Sequence, residues 1–442
     1  MKARTSRDTG TRSVAVVGGG LAGLAAALEL ADAGHDVTLY EARPTLGGKV
    51  QTLPHREGDP EPPPDNGQHI ALGCFTEYLR FLHRIGSANG VRRMPLALPV
   101  IDERGREATI KPRLAALLRY QHLALSDRLR VARLLARIPD AGEETFGAYL
   151  RRHGQSRAAI SRFWDVFIRP ALNLRSDEVD ARLAVFTVRT GLLGTKGDSD
   201  LVLPTAPLGE LHGEVARRAL ERRGATVLVD ARVDDLDALD ADAVVVAVPP
   251  EESARLLGEE PPEYEHSPIV SVHLLFDRVL LRTPLAALLG SDAHWIFDRS
   301  VLTGIRPSAQ APVRESGPVE GARGNREGPP FPAGAQYLTV VSSGVPELMT
   351  LRGRELVERI AGEVTARLGS AELLWSRVSR EPEATLAVRP GTTRPSAGVV
   401  RPGVARAGAW TEGWPVTMEN AVRSGVAAAR AVLSDATTMV AA

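Results

Sequence analysis

Ser13-Val14-Ala15-Val16-Val17-Gly18-Gly19-Gly20-Leu21-Ala22-Gly23 is the stretch from which the rest of the chain can be read. Its β-branched start predicts a buried strand, and the Leu- and Ala-rich run from Leu21 to Ala33, closed by Gly34, predicts a helix. Between them Gly18, Gly20 and Gly23 stand at the G-x-G-x-x-G spacing. Gly18 permits a tight turn, Gly20 lets the backbone approach a pyrophosphate, and Gly23 allows close helix–strand packing. The head of the helix, with Leu21 and Ala22, supplies free N–H groups and positive potential to an anion. His35 to Glu41 predicts a second strand, so the unit is strand–helix–strand with the crossover that a parallel sheet requires. Glu41 lies 18 residues beyond Gly23, where a carboxylate can accept hydrogen bonds from a ribose diol. The reading is therefore a dinucleotide site on an α/β fold.

Working outward, Ala225 to Val233 and Ala241 to Pro250 are two further β-branched runs able to join the same sheet. Residues 75–200 read as mostly helical. Within them Ser126 is expected to cap a helix from Asp127 to Ile138, with Val131, Leu134, Leu135 and Ile138 on its apolar face. From Arg104 to Arg137 nine basic residues face two acidic ones. That excess suits either a solvated outer face or a helix lying on a membrane surface. Ile269 to Phe276 and Gln336 to Ser343 read as strands, and the Pro/Gly/Arg/Glu-rich residues 306–332 between them as a mobile loop. A helix is expected from Val416 to about Leu433, followed by a frayed small-residue tail.

Composition narrows the function classes. The 442 residues carry 54 basic and 54 acidic side chains, so no charge imbalance suggests nucleic acid as a partner. Only four of the basic residues are lysines, Lys2, Lys49, Lys111 and Lys196, which excludes lysine chemistry beyond Lys196. The one cysteine, Cys74, cannot form an internal disulfide and fits a reducing compartment, and no metal-ligating pattern is present. No apolar run reaches the ~18 residues of a spanning helix. A cytoplasmic protein is expected, with peripheral contact at the inner face of the membrane compatible with it.

The residues after Glu41 distinguish among dinucleotides. Glu41-Ala42-Arg43-Pro44-Thr45-Leu46-Gly47-Gly48-Lys49 resembles the E-x-R-x-x-x-G-G-[RK] signature of the flavin-containing amine oxidoreductases. Arg406 to Thr411 and Gly413 to Gly425 resemble that superfamily's C-terminal flavin segment. The resemblance implies FAD as cofactor, held by Gly18, Gly20, Leu21, Ala22, Gly23, Glu41, Ala42, Arg43, Gly47, Gly48 and Lys49. It also implies Val233 against the adenine, and Trp410, Pro415, Thr417 and Met418 towards the flavin. Ala409 departs from the pattern, because relatives commonly carry Asp there. The implied fold is α/β: a discontinuous Rossmann-like FAD domain of the GR2 type (1–80, 201–267, 381–442) with an inserted α+β substrate domain (81–200, 268–380).

A narrower resemblance rests on Asp65-Asn66-Gly67-Gln68-His69, Arg169-Pro170-Ala171-Leu172-Asn173, Leu203-Pro204, and Trp295 with Phe297-Asp298-Arg299. Together with Gly413-Trp414-Pro415-Val416-Thr417-Met418-Glu419 these are similar to the hydroxysqualene dehydroxylase family of squalene and hopanoid biosynthesis. It implies reductive loss of an allylic hydroxyl from an isoprenoid lipid, an electron donor of unidentified kind, and association with prenyl synthases. Departure of a hydroxyl needs an acid, for which Asp65, His69 and Asp298 are the candidates. Two other readings stay open: Asn66, Gln68 and His69 as turn residues bonding backbone and cofactor edges, and Asp298-Arg299 as a surface ion pair at a strand end. A carotenoid-type desaturase and a non-catalytic flavin- or lipid-binding partner are the alternative functions.

Overall fold

The structure, a computed structural model, describes residues 11–304, 308–309, 331–332 and 334–440. The opening stretch forms the strand Ser13–Val17, buried along its whole length, and the helix Leu21–Asp32. Six strands make the first sheet, in the order Gly398–Arg401, Val404–Arg406, Ala243–Val246, Ser13–Val17, Asp36–Tyr40, Thr226–Leu228. All neighbours run parallel except the antiparallel pair at 398–406. Both runs between 225 and 250 thus join the first sheet, though as shorter strands than their composition suggested. This is a Rossmann-like fold assembled from distant pieces of chain.

The helix Leu21–Asp32 is buried on nearly every face, because the sheet covers one side and the terminal helix Met418–Val440 the other. Small side chains permit it: Ala25, Ala26 and Ala27 are almost wholly inaccessible. A Cβ on Gly425 of the terminal helix would lie 2.0 Å from the Ala22 carbonyl oxygen, so the two backbones touch. The terminal helix starts two residues later than Val416 and continues past Leu433 to Val440; the last two residues of the expected tail lie outside the described residues.

A second sheet of seven strands runs Leu373–Leu386, His266–Phe276, Gln336–Ser343, Trp295–Asp298, Leu285–Leu288, Leu98–Ile101, Glu107–Ile110. It is antiparallel apart from the pairing of Leu285–Leu288 with Leu98–Ile101. The segment read as mostly helical therefore contains three strands, at Val91–Met94, Leu98–Ile101 and Glu107–Ile110. Val91–Met94 pairs with Leu201–Pro204 and Leu98–Ile101 with Leu285–Leu288, both far along the chain, while Leu98–Ile101 and Glu107–Ile110 also form a short hairpin that was not recognised. The helix expected from Asp127 runs Leu125–Ala136 with Ala124 at its N-cap, which places Ser126 inside the first turn. Val131 and Leu134 are its buried face. Most of the loop expected at 306–332 lies outside the described residues; Ser308–Ala309 pairs with Pro60–Glu61 as a short strand.

Candidate active site

The carboxyl ends of the parallel strands meet at the glycine loop, the place where ligands bind in sheets of this kind. Gly18 has φ +106°, and a Cβ there would lie 2.4 Å from the Ala247 carbonyl oxygen. A Cβ on Gly23 would lie 1.8 Å from the Gly18 carbonyl oxygen, which explains its role in packing. Gly20 differs, since its nearest neighbour would be Gly48 Cα at 3.7 Å. Gly47 folds back onto this loop, donating from its N–H to the Gly19 carbonyl at 2.8 Å. The Glu41 carboxylate accepts from the N–H groups of Gly19 (2.7 Å) and Arg43 (2.8 Å). Each oxygen keeps a lone pair for a ribose hydroxyl.

From this loop one cavity of about 740 Å³ runs into the space between the two sheets and the helices. Every residue expected to hold the cofactor lines it except Gly23, which packs behind the loop. Gly18, Gly20, Leu21, Ala22, Glu41, Ala42, Arg43, Gly47, Gly48, Lys49 and Val233 form one part of its wall. Trp410, Pro415, Thr417 and Met418 form another, at the start of the 23-residue terminal helix, whose N-terminus favours negative charge. Lys49 donates to the Glu383 carbonyl, and burial holds its ammonium below the ordinary lysine range. Ala409 lines the cavity too, its carbonyl accepting from Asn420 Nδ2 at 2.8 Å.

The residues fit a flavin dinucleotide on an observation separate from the glycine motifs. Gln68 is buried on the cavity wall, and neither its amide oxygen nor its amide nitrogen has a protein partner. Buried amides are rarely left so, and a polar-edged ring system in the cavity would satisfy both. The open side of Gly20 offers the matching backbone approach at the pyrophosphate end.

Beyond Gln68 the wall is largely apolar, with Leu72, Phe75, Leu96, Phe167, Phe186, Ile269 and the stacked pair Trp295 and Phe297. Sequence reasoning missed Phe167, Phe186 and Ile269, which carry no signal beyond ordinary core composition. Arg169 donates to the Ser343 and Gly344 carbonyls, and Asn173, at φ 54°, bonds Ser267 and Gly344. That motif clamps one wall of the cavity to the second sheet.

The three acid candidates separate. His69 lines the cavity, and burial lowers its imidazole to about 4, so the ring is neutral at physiological pH. Asp65 does not reach the cavity: it is ion-paired with Arg299 at 2.5 Å and accepts from Thr52 Oγ1 and the Leu208 N–H. Asp298 is also behind the wall, capping the helix Arg299–Thr303 through the Val301 N–H and accepting from Gln336. Arg299 is no surface partner of Asp298, since it is 2% exposed and bound to Asp65, 234 residues away in sequence. Lys196 is exposed and away from the cavity. Cys74 lines it, with its thiol pushed up to about 11 by burial and therefore protonated.

Comparison with known proteins agrees with this arrangement. Hydroxysqualene dehydroxylase of Sinorhizobium fredii is 27% identical over 97% of this chain and 100% of its own length. Zeta-carotene desaturase of Zea mays is 30% identical, but over 48% of this chain and 41% of its own length. The chain thus spans about two-fifths of that desaturase. Among solved structures, a putative protoporphyrinogen oxidase from Exiguobacterium superposes with a TM-score of 0.66 at 16% identity, covering 98% of this chain and 99% of that one. The family described as flavin containing amine oxidoreductase matches residues 21–433, which include the glycine loop's helix, most of the cavity wall and the start of the terminal helix, and this chain belongs to that family.

Proposed function

We propose that this protein is an FAD-dependent oxidoreductase that reductively removes the allylic hydroxyl of hydroxysqualene to give squalene. The observation that carries the reading is one cavity whose wall holds the dinucleotide loop, the Asn66-Gly67-Gln68-His69 segment and a large set of apolar side chains. Such a cavity suits a long isoprenoid chain, with a few polar groups to fix its orientation. The end-to-end similarity to the Sinorhizobium dehydroxylase supports the same substrate.

In this reaction a C–O bond breaks, a C–H bond forms, and the hydroxyl leaves as water after gaining a proton; the two electrons come from an external donor. FAD, when bound, supplies the two-electron chemistry. The chain's own residues have three tasks. The glycine loop and Glu41 hold the dinucleotide, and Gln68 offers its free amide to the ring edge. The apolar wall excludes water. His69, the one of the three candidates on the wall, is neutral with one N–H and relays a solvent proton: the N–H gives its proton to the leaving hydroxyl while the other ring nitrogen takes up the replacement.

The test is anaerobic incubation of flavin-loaded protein with hydroxysqualene and a chemical reductant, with products identified by mass spectrometry. Squalene is expected. Turnover of phytoene under oxidising conditions without squalene formation would replace this reading with a carotenoid-type desaturase, which the 30% identity over half the chain favours. A protein that binds no FAD would replace it with a non-catalytic lipid-binding partner.

A further inference from the structure

A second, smaller pocket of about 70 Å³ lies beside the main cavity. Leu96, Phe167 and Leu192 line both, so a single layer of side chains separates the two spaces. Its outer wall is formed by Lys111, Pro112, Arg113 and Leu193, all exposed. The surface next to it is unusual in two respects. Leu118, Leu125 and Leu129 are 43%, 60% and 53% exposed, and the last two stand one helical turn apart on the helix Leu125–Ala136. Around them Arg119, Arg130, Arg133 and Arg137 are exposed as well. Among the described residues, only Arg130 of these four has a carboxylate within ion-pair distance, Asp127 at 3.4 Å.

We infer that this face docks on an anionic lipid bilayer and presents the small pocket to it as the way in for an apolar substrate. Leucines amid cations complement a membrane surface, where apolar side chains enter the acyl boundary and basic ones meet phosphate headgroups. A second copy of this chain is a poorer occupant, because a two-fold interface would set the same cations against each other. The inference rests on the lipid-substrate reading for the pocket's purpose, but docking itself is measured without substrate.

The experiment is co-sedimentation of the flavin-loaded full-length protein with vesicles of equimolar phosphatidylcholine and phosphatidylglycerol, and with phosphatidylcholine alone. Binding to the anionic vesicles is expected, weakening as salt rises. The double variant Leu125→Gln/Leu129→Gln and the variant Arg130→Glu/Arg133→Glu should each lower partitioning by about ten-fold or more. Val279→Gln, at another exposed apolar position (57%), should leave it unchanged. Thermal midpoints and flavin absorbance of all variants check that they fold. Absence of binding by the parent protein, or undiminished binding by the docking variants, would overturn the inference. So would a concentration-dependent dimer that the leucine variant abolishes in the absence of vesicle binding. In a second arm, the leucine variant should slow conversion of vesicle-borne hydroxysqualene and leave conversion of detergent-dispersed substrate unchanged. No conversion by any protein in either medium would reject the proposed reaction and leave docking standing.

Discussion

Gly20 and Gly23 are three residues apart, at the N-cap and in the first turn of one helix, yet a methyl group added at each meets different things. At Gly20, with φ −75° and ψ 177°, alanine is conformationally ordinary and meets only Gly48 Cα, at an ordinary contact distance of 3.7 Å. Gly20→Ala should therefore leave the flavin-free protein's thermal midpoint unchanged and, if the proposed FAD passes this backbone, reduce FAD loading by about ten-fold or more. Gly23→Ala drives a Cβ into the Gly18 carbonyl and should destabilise the flavin-free and loaded protein alike, by about 1–3 kcal/mol. Denaturant titrations with and without FAD distinguish the two. The same division applies to the polar residues. His69→Ala should lower squalene formation by about 100-fold with FAD loading intact, as expected for a group that assists proton transfer. Asp65→Asn should act on stability instead. It leaves Arg299 buried without its charge partner, at roughly 3 kcal/mol or more, and removes the negative charge that raises the His69 imidazole, so an acid limb set by that ring should move to lower pH. Loss of turnover by Asp65→Asn at every pH with stability intact would return Asp65 to the acid's role. The Asp65–Arg299 pair was not legible in the sequence, because nothing local links two residues 234 positions apart. The glycine loop was legible because its constraint is local.

At the scale of elements, legibility followed how far each element's partners lie along the chain. The strand Ser13–Val17, the helix after it and the strand Gln336–Ser343 could be read from pattern alone, since burial on fixed faces writes a local period. The strands Leu98–Ile101 and Glu107–Ile110 were missed although they pair with each other locally, because each is only four residues long and the hairpin is held in its sheet by the distant strand Leu285–Leu288. The start of the helix Leu125–Ala136 was misplaced for another reason. Ser126 is a good capping residue, but the chain turns at Ala124, where packing of Val131 and Leu134 sets the helix phase. The terminal helix shows how an element far from the glycine loop controls it. Gly425 lets it lie against the backbone at Ala22, and its first residue, Met418, lines the cavity. Gly425→Ala should push the two helices apart, lower stability by about 1–3 kcal/mol and shift the helix N-terminus away from the cofactor. The measurable outcome is a faster release of FAD on dilution than in the parent protein. Unchanged release together with unchanged stability would show that the contact can relax without moving the helix.

The whole molecule brings two sheets and a helical layer around one cavity, and this has a consequence for its response to acid. Closing the structure buries four histidines in neutral form: His69 at about 4, His212 and His273 at about 3, and His294 well below the ordinary value of 6.5, all chiefly through burial. In the unfolded chain each would take up a proton near pH 6.5. Between about pH 4 and 6.5 the unfolded state therefore binds more protons than the folded one, and stability falls as pH falls through that window. Above 6.5 both states are neutral at these sites and no dependence arises from them. With about four protons involved, the slope approaches roughly 5 kcal/mol per pH unit near pH 5. Asp165, Asp298 and Glu419 work in the opposite sense, because burial raises them and their protonation favours the fold as pH drops through their raised values. That opposition sets in at their raised values and is complete at the ordinary values of 3.8 and 4.5, and three carboxyls against four histidines leave the histidines setting the sign. Urea midpoints measured from pH 8 downwards should be level to about 7 and fall steeply below 6.5. His273→Gln, whose ring bonds Thr339 and the Asp65 carbonyl, should lower stability at neutral pH and reduce the slope by about one proton. A midpoint that holds level to pH 5 would mean that the histidines gain their protons within the folded protein, in a cavity wetter than its walls imply.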